Sequence, residues 1–170
     1  MNLEKYIAAV PNFPIDGILF RDITPLLANG EAFAHVTDIF SDFVKKQNAN
    51  IIVGPESRGF IFGCPVATNL KLGFVPIRKP GKLPRETVSQ SYDLEYGSNT
   101  LVMHKDAVKK GDRVVIIDDL LATGGTLDAT VKLIESCGAQ VVGIACLIEL
   151  IDLKGKELLK GLEVFSILKY

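Results

Sequence analysis

From Glu31 to Gln47, the residues Phe33, Val36, Phe40, Phe43 and Val44 recur at intervals of three, four, three and one, an apolar stripe that predicts an amphipathic helix. Directly after it, Ile51-Ile52-Val53 is an unbroken β-branched run, as expected of a short buried strand. The same alternation continues along the chain. Helices are predicted over 59–70, 125–136 and 152–160, and strands over 74–77, 101–104, 113–117, 140–149 and 163–168. Alternating strands and helices imply an α/β fold with a mostly parallel central sheet and helices on both faces. Two stretches fall outside this rhythm. Residues 3–10 read as a short helix followed by an irregular, Pro-rich segment over 11–30, and residues 79–99 form a long polar connection. Compact domains rarely carry so long a connection without a use, so 79–99 is expected to act as a mobile lid, with Gly81 and Gly97 as flexing points.

A chain of 170 residues suits one domain spanning 1–170, with about 1–30 as an N-terminal segment. Such a domain buries roughly 70% of its unfolded surface. The formal net charge of −1 argues against a nucleic-acid or membrane-surface partner, so any polyanionic ligand must be met by local positive charge. The longest apolar stretch, from Val141 to Ile148, falls short of the ~20 residues of a membrane span. The N-terminal residues have no signal-peptide or transit-peptide character, which points to the cytoplasm. Cys64, Cys137 and Cys146 have no Cys-x-x-Cys spacing and read as reduced core residues, and neither His35 nor His104 has a metal-ligating neighbour.

The chemistry concentrates in residues 114–126, Val-Val-Ile-Ile-Asp-Asp-Leu-Leu-Ala-Thr-Gly-Gly-Thr. The apolar run reads as a buried strand ending at Ile117, with Asp118 and Asp119 beyond its carboxyl end, where open parallel sheets bind ligands. Ala122-Thr123-Gly124-Gly125-Thr126 then leads into a stretch of helical spacing. The start of a helix offers unpaired N–H groups and the positive end of its dipole, the glycines allow close approach, and the threonines add hydroxyl donors. That is a cup for a terminal phosphate. The acid pair beside it would repel phosphate but accept hydrogen bonds from vicinal hydroxyls, directly or through Mg²⁺. A ribose 5-phosphate meets both requirements. A Walker loop is excluded because no lysine follows either glycine, and no Gly-x-Gly-x-x-Gly occurs in the chain.

Other constellations supplement this run. Gly54-Pro55-Glu56-Ser57-Arg58-Gly59 is a second strand-to-helix turn, carrying a guanidinium suited to bidentate phosphate contact. Arg78, Lys79 and Lys82 form a basic cluster that could balance a departing anion. The segment 17–26, with Phe13-Pro14 before it, mixes apolar, aromatic and charged residues as a slot for a flat ring requires.

Residues 114–126 resemble the phosphoribosyl-pyrophosphate motif of the type I phosphoribosyltransferases. Segments 11–27, 54–60, 78–83 and 94–97 are similar to that family's other motifs, in the same order, with mild departures at Thr24 for serine and Glu56 for aspartate. The resemblance implies the type I phosphoribosyltransferase fold, with a small N-terminal hood over about 1–30 and a catalytic lid over about 79–99. It also implies transfer of ribose 5-phosphate from phosphoribosyl pyrophosphate to adenine, giving AMP and pyrophosphate in purine salvage, with Mg²⁺ held mainly through the substrate.

By the same resemblance, Ala122, Thr123, Gly124, Gly125 and Thr126 hold the 5-phosphate, and Asp118 and Asp119 the ribose and Mg²⁺. Glu56, Ser57, Arg58, Arg78, Lys79 and Lys82 bind pyrophosphate, around a cis peptide bond at Glu56–Ser57. Leu19, Phe20, Arg21 and Leu120 form the adenine site. Glu95 handles the proton on the base, with Tyr96 beside it in the lid, and Arg58 counts with Glu95 as catalytic. The implied partners are small-molecule substrates and a second copy of the chain in a homodimer. Two rival readings keep part of this: transfer to hypoxanthine, guanine, xanthine or orotate, and a noncatalytic sensor of phosphoribosyl pyrophosphate.

Overall fold

Residues 3–10, expected as one helix, divide in the computed structural model, which describes residues 1–94 and 96–170, into a 3-10 turn over Leu3–Tyr6 and a strand, β1 (Ala8–Pro11). A helix this short is marginal in water, and Pro11 drives Val10 toward extended backbone. β1 pairs antiparallel with β2 (Leu19–Asp22), so the segment over 11–30 is more regular than its sequence suggested. It also contains a short helix, α1 (Thr24–Ala28), started by Pro25 in its first turn and by Asp22, whose carboxylate accepts from the Thr24 N–H at 2.9 Å. The predicted amphipathic helix is present as α2 (Gly30–Lys46). By its internal contacts the chain falls into two compact units, Met1–Ile39 and Phe40–Tyr170.

The second unit is built on a five-stranded sheet with every pairing parallel. Its strands are β3 (Ile51–Pro55), β4 (Gly73–Ile77), β7 (Arg113–Leu121), β8 (Gln140–Glu149) and β9 (Val164–Lys169), with a separate ribbon of β5 (Thr87–Asp93) and β6 (Ser98–His104) between β4 and β7 in the chain. The sheet order is β4-β3-β7-β8-β9. Two helices accompany it, α3 (Arg58–Leu70) and α4 (Gly125–Ser136). Successive side chains of a strand point to opposite faces. Val114 and Ile116 accordingly join the buried cluster that contains Leu127, Val131 and Ile134 of α4, while the fully buried Val115 and Ile117 stand outside it. The α/β reading with a parallel sheet is thus borne out. Phe62 of α3 meets Phe40 edge to face at 5.9 Å, and Phe43 stacks on Phe165 of β9 at 5.3 Å. Gly143 leaves room for Phe43, whose ring would lie 2.8 Å from an added Cβ. Among the described residues no helix is long and apolar enough to cross a membrane.

Three sequence expectations need correction. β7 does not stop at Ile117 but runs to Leu121, because β8 is long enough to keep pairing with it, Asp118 opposite Cys146 and Leu120 opposite Ile148. Asp118 and Asp119 therefore sit inside a strand. The connection over 79–99 is not irregular throughout, and the strand at 101–104 is not part of the central sheet. β5 and β6 form an antiparallel ribbon in register from Thr87↔His104 to Asp93↔Ser98. The ribbon's outer half alternates small polar residues with Val88 and Tyr92, a period-2 signal too polar to register as a buried strand. Finally, the helix expected over 152–160 is two 3-10 turns, Ile151–Leu153 and Gly155–Leu159, broken at Lys154 with φ +53°.

Phe62 is fully buried. Its replacement by Ala leaves a cavity against Phe40 and is expected to lower unfolding free energy by about 3–5 kcal/mol, read as a lower urea midpoint with unchanged slope.

Candidate active site

The carboxyl ends of β3 and β7 face a cleft of about 460 Å³. It is lined by the β3–α3 turn on one side and by the β7–α4 turn on the other, with Lys79 at its rim. This brings together Glu56, Ser57, Arg58, Asp118, Asp119, Leu120 and all five residues from Ala122 to Thr126, as the sequence led one to expect.

The β7–α4 turn is shaped by close backbone packing. Gly124 precedes the first turn of α4 with φ +89°, where a side chain is strained. A Cβ there would also lie 2.5 Å from the carbonyl oxygen of Gly155. In turn, a Cβ on Gly155 would strike the Ala122 carbonyl and come within 3.1 Å of the Gly124 nitrogen. The 3-10 turn at Gly155 is therefore the back wall of the loop. It is anchored by Lys156, paired with Glu149 at the end of β8 at 2.8 Å, and Glu149 also accepts from the Ser166 hydroxyl at 2.5 Å. Sequence reasoning missed Gly155, since nothing local marks a glycine whose purpose lies about thirty residues away in the chain. On the opposite side, the Tyr92 ring of β5 packs on Gly125, 3.1 Å from where its Cβ would be, and the Tyr92 hydroxyl lies 3.0 Å from Thr126 Oγ1.

The acids occupy a more constrained place than a solvated strand end. Both are buried. Asp118 Oδ1 accepts from the Asp119 backbone N–H at 2.8 Å, and Asp119 Oδ2 is paired with Arg58 Nε at 2.7 Å. Burial, reinforced by the charge of Asp119, holds the Asp118 carboxyl well above the usual carboxylate range, and Arg58 only partly offsets this.

In the β3–α3 turn the Glu56–Ser57 bond is cis, where it was expected. The turn is tight, since a Cβ on Gly59 would meet Pro55 at 2.9 Å and the Ile117 carbonyl at 3.0 Å. Glu56 does not present its carboxylate to the cleft as a free group. Its Oε1 accepts from the Lys79 N–H at 2.7 Å and from Arg78 Nε at 3.3 Å, while Arg78 Nη1 donates to the Lys82 carbonyl at 3.3 Å. Glu56 thereby organises the basic segment, and of its three cations Lys79 lines the cleft.

Leu19, Phe20 and Arg21 lie on β2 of the first unit, where Phe20 meets Phe13 edge to face at 5.1 Å. Glu95 lies outside the described residues, and the neighbouring Tyr96 is 89% exposed.

This geometry can hold a phosphate in the β7–α4 turn, a diol beside the acids and a second anion near Arg58 and Lys79. The chain belongs to the phosphoribosyltransferase family, whose phosphoribosyl transferase domain matches residues 22–167. An adenine phosphoribosyltransferase of Lactobacillus acidophilus is 59% identical over 170 residues, which is 100% of this chain and 97% of that protein. The crystal structure of adenine phosphoribosyltransferase from Thermoanaerobacter pseudethanolicus superposes with a TM-score of 0.95 at 48% identity, covering 99% of this chain and 98% of that one. The Saccharomyces cerevisiae enzyme, complexed with an imino-altritol bisphosphate and adenine, has a TM-score of 0.92 at 38% identity, covering 97% and 96%. Within the family the chain falls among the adenine phosphoribosyltransferases.

Asp118 yields a stability prediction. A carboxyl held above its ordinary value favours the folded state fully below the unfolded value, and that contribution is lost as pH rises through the folded value. Asp118→Asn removes the cost of the buried charge, so the ligand-free variant is expected to melt higher than the native chain at neutral pH. The gain should fade as pH falls toward about 4. Calorimetric melting across that range checks it.

Proposed function

We propose that this chain transfers ribose 5-phosphate from phosphoribosyl pyrophosphate to adenine, releasing pyrophosphate and forming AMP. The observation that carries the reading is the convergence of the phosphate turn, the acid pair and the Arg58 turn on one cleft, in a chain similar over its full length to adenine phosphoribosyltransferases. A chain that only sensed the donor would need the same three elements, so the full-length similarity to adenine phosphoribosyltransferases is what favours the enzyme.

In this reaction the bond from C1′ of the ribose to the pyrophosphate oxygen breaks, and a bond from C1′ to adenine N9 forms. The sugar passes through an oxocarbenium-like state, and the base gives up a proton. The N–H groups and hydroxyls over 122–126 fix the 5-phosphate and so place C1′. Asp118 and Asp119 accept from the ribose hydroxyls. Arg58 and Lys79 face the pyrophosphate, with Arg78 and Lys82 supporting them and Glu56 and Ser57 shaping the turn, so that charge gathering on the leaving group meets fixed cations. Leu19, Phe20 and Arg21, in the segment that resembles the family's hood, and Leu120 are assigned to the base. Glu95 takes the proton from adenine, and Tyr96 with the rest of the lid excludes the water that would otherwise hydrolyse the donor.

The residues present suit Mg²⁺ held mainly through substrate. Asp118 and Asp119 are hard oxygen donors, but no group of three His, Cys, Asp or Glu side chains able to hold a metal occurs among the described residues. The remaining coordination would come from the oxygens of the donor and from water. When bound, the ion would supply charge neutralisation on the pyrophosphate. Three free thiols and no disulfide among the described residues fit a reducing compartment, so we assign the enzyme to the cytoplasm; the resemblance to the family assigns it to a homodimer.

Single bases offered with phosphoribosyl pyrophosphate and Mg²⁺ are expected to release pyrophosphate with adenine and not with guanine or hypoxanthine. No turnover with any base would remove the enzymatic reading, whereas turnover with guanine alone would change the acceptor. Glu95→Gln is expected to lower kcat by about 10²- to 10⁴-fold, as for other positioned acid–base groups, with little change in the KM of either substrate.

A further inference from the structure

The phosphate turn has a contact that its own residues do not explain. β5 reaches it with Tyr92, whose hydroxyl lies 3.0 Å from Thr126 Oγ1, and across the ribbon Asn99 Nδ2 lies 3.4 Å from the same hydroxyl. Tyr92 and Asn99 are directly opposed in the β5–β6 register. The polarity of the Asn99–Tyr92 step follows from which atoms can donate. An amide nitrogen only donates, so the Tyr92 oxygen accepts from Asn99. Between Tyr92 and Thr126 either hydroxyl can donate, and the arrangement in which Tyr92 gives its hydrogen to Thr126 Oγ1 lets the tyrosine both accept and donate. In that arrangement Thr126, which lines the cleft, keeps its own hydrogen to give. A phosphate dianion is an acceptor only, so a hydroxyl whose hydrogen is already turned outward needs no reorientation to bind it.

We propose that Tyr92 is a positioning residue for the donor substrate, part of a directed relay from Asn99 through Tyr92 to Thr126 that presents the Thr126 hydroxyl to the 5-phosphate as a hydrogen-bond donor. This rests on the assignment of the turn over 122–126 to the 5-phosphate. The ribbon then serves two parts of the site, since its base carries Arg78, bridged to Val102, while its outer half holds the phosphate turn. The anion-binding groups at both ends of the donor are thereby tied to one element.

Tyr92→Phe keeps the ring over Gly125 and removes only the hydroxyl, so the fold is retained. The expected result is a rise of about five- to tenfold in the KM for phosphoribosyl pyrophosphate and in the Kd for ribose 5-phosphate by calorimetry, with the KM for adenine unchanged. Thr126→Val should raise the same quantities, and Tyr92→Phe added to it should change nothing more, because the tyrosine acts through the threonine. Asn99→Asp, which can only accept and so reverses the relay, should weaken ribose 5-phosphate binding in the native background and leave it unaltered in the Tyr92→Phe background. An unchanged Kd in Tyr92→Phe, additive effects of Tyr92→Phe and Thr126→Val, or an Asn99→Asp effect of equal size in both backgrounds would each overturn the relay. The ribose 5-phosphate measurement needs no turnover, so it fails or stands separately from the choice of base.

Discussion

Two adjacent carboxylates inside a buried parallel strand set the terms for everything around them. Like charges on neighbouring residues repel, and burial makes each ion costlier still. The chain meets this with one guanidinium. Arg58 comes from the turn after the neighbouring strand β3 and pairs with Asp119, and the Asp119 N–H is donated to Asp118. The pairing demands that β3 and β7 lie side by side and that the β3–α3 turn fold back tightly, which is why Gly59 stands where a Cβ would strike Pro55 and Ile117. The residual strain shows in the raised Asp118 carboxyl.

The same logic of partners across the sheet explains which features were legible in the sequence. The strand, acid pair and glycine turn of 114–126 are contiguous, so the strand, the turn at its carboxyl end and the helix start after it could be read directly. The helices over 30–46, 58–70 and 125–136 announced themselves through apolar periodicity. What failed was whatever depends on a partner far along the chain. β7 outruns its apolar core because β8 continues beside it. β1 exists only because β2 pairs with it, and β5 only because β6 does, neither having a strong strand pattern of its own. Glu56 was read as a ligand to anions, since sequence cannot reveal that its carboxylate is taken by Arg78 and the Lys79 N–H.

The phosphate turn is braced from two sides by different physics. Behind it, Gly155 packs backbone to backbone against Ala122 and Gly124, a contact without side-chain freedom, fixed to the sheet through the Lys156–Glu149 pair. In front of it, a single tyrosine from a two-stranded ribbon makes one ring contact and one hydrogen bond. A two-stranded ribbon is marginal by itself, and this one is held because Leu101 and Met103 join the buried cluster of α4, so the front brace rests on the same core as the helix that follows the turn.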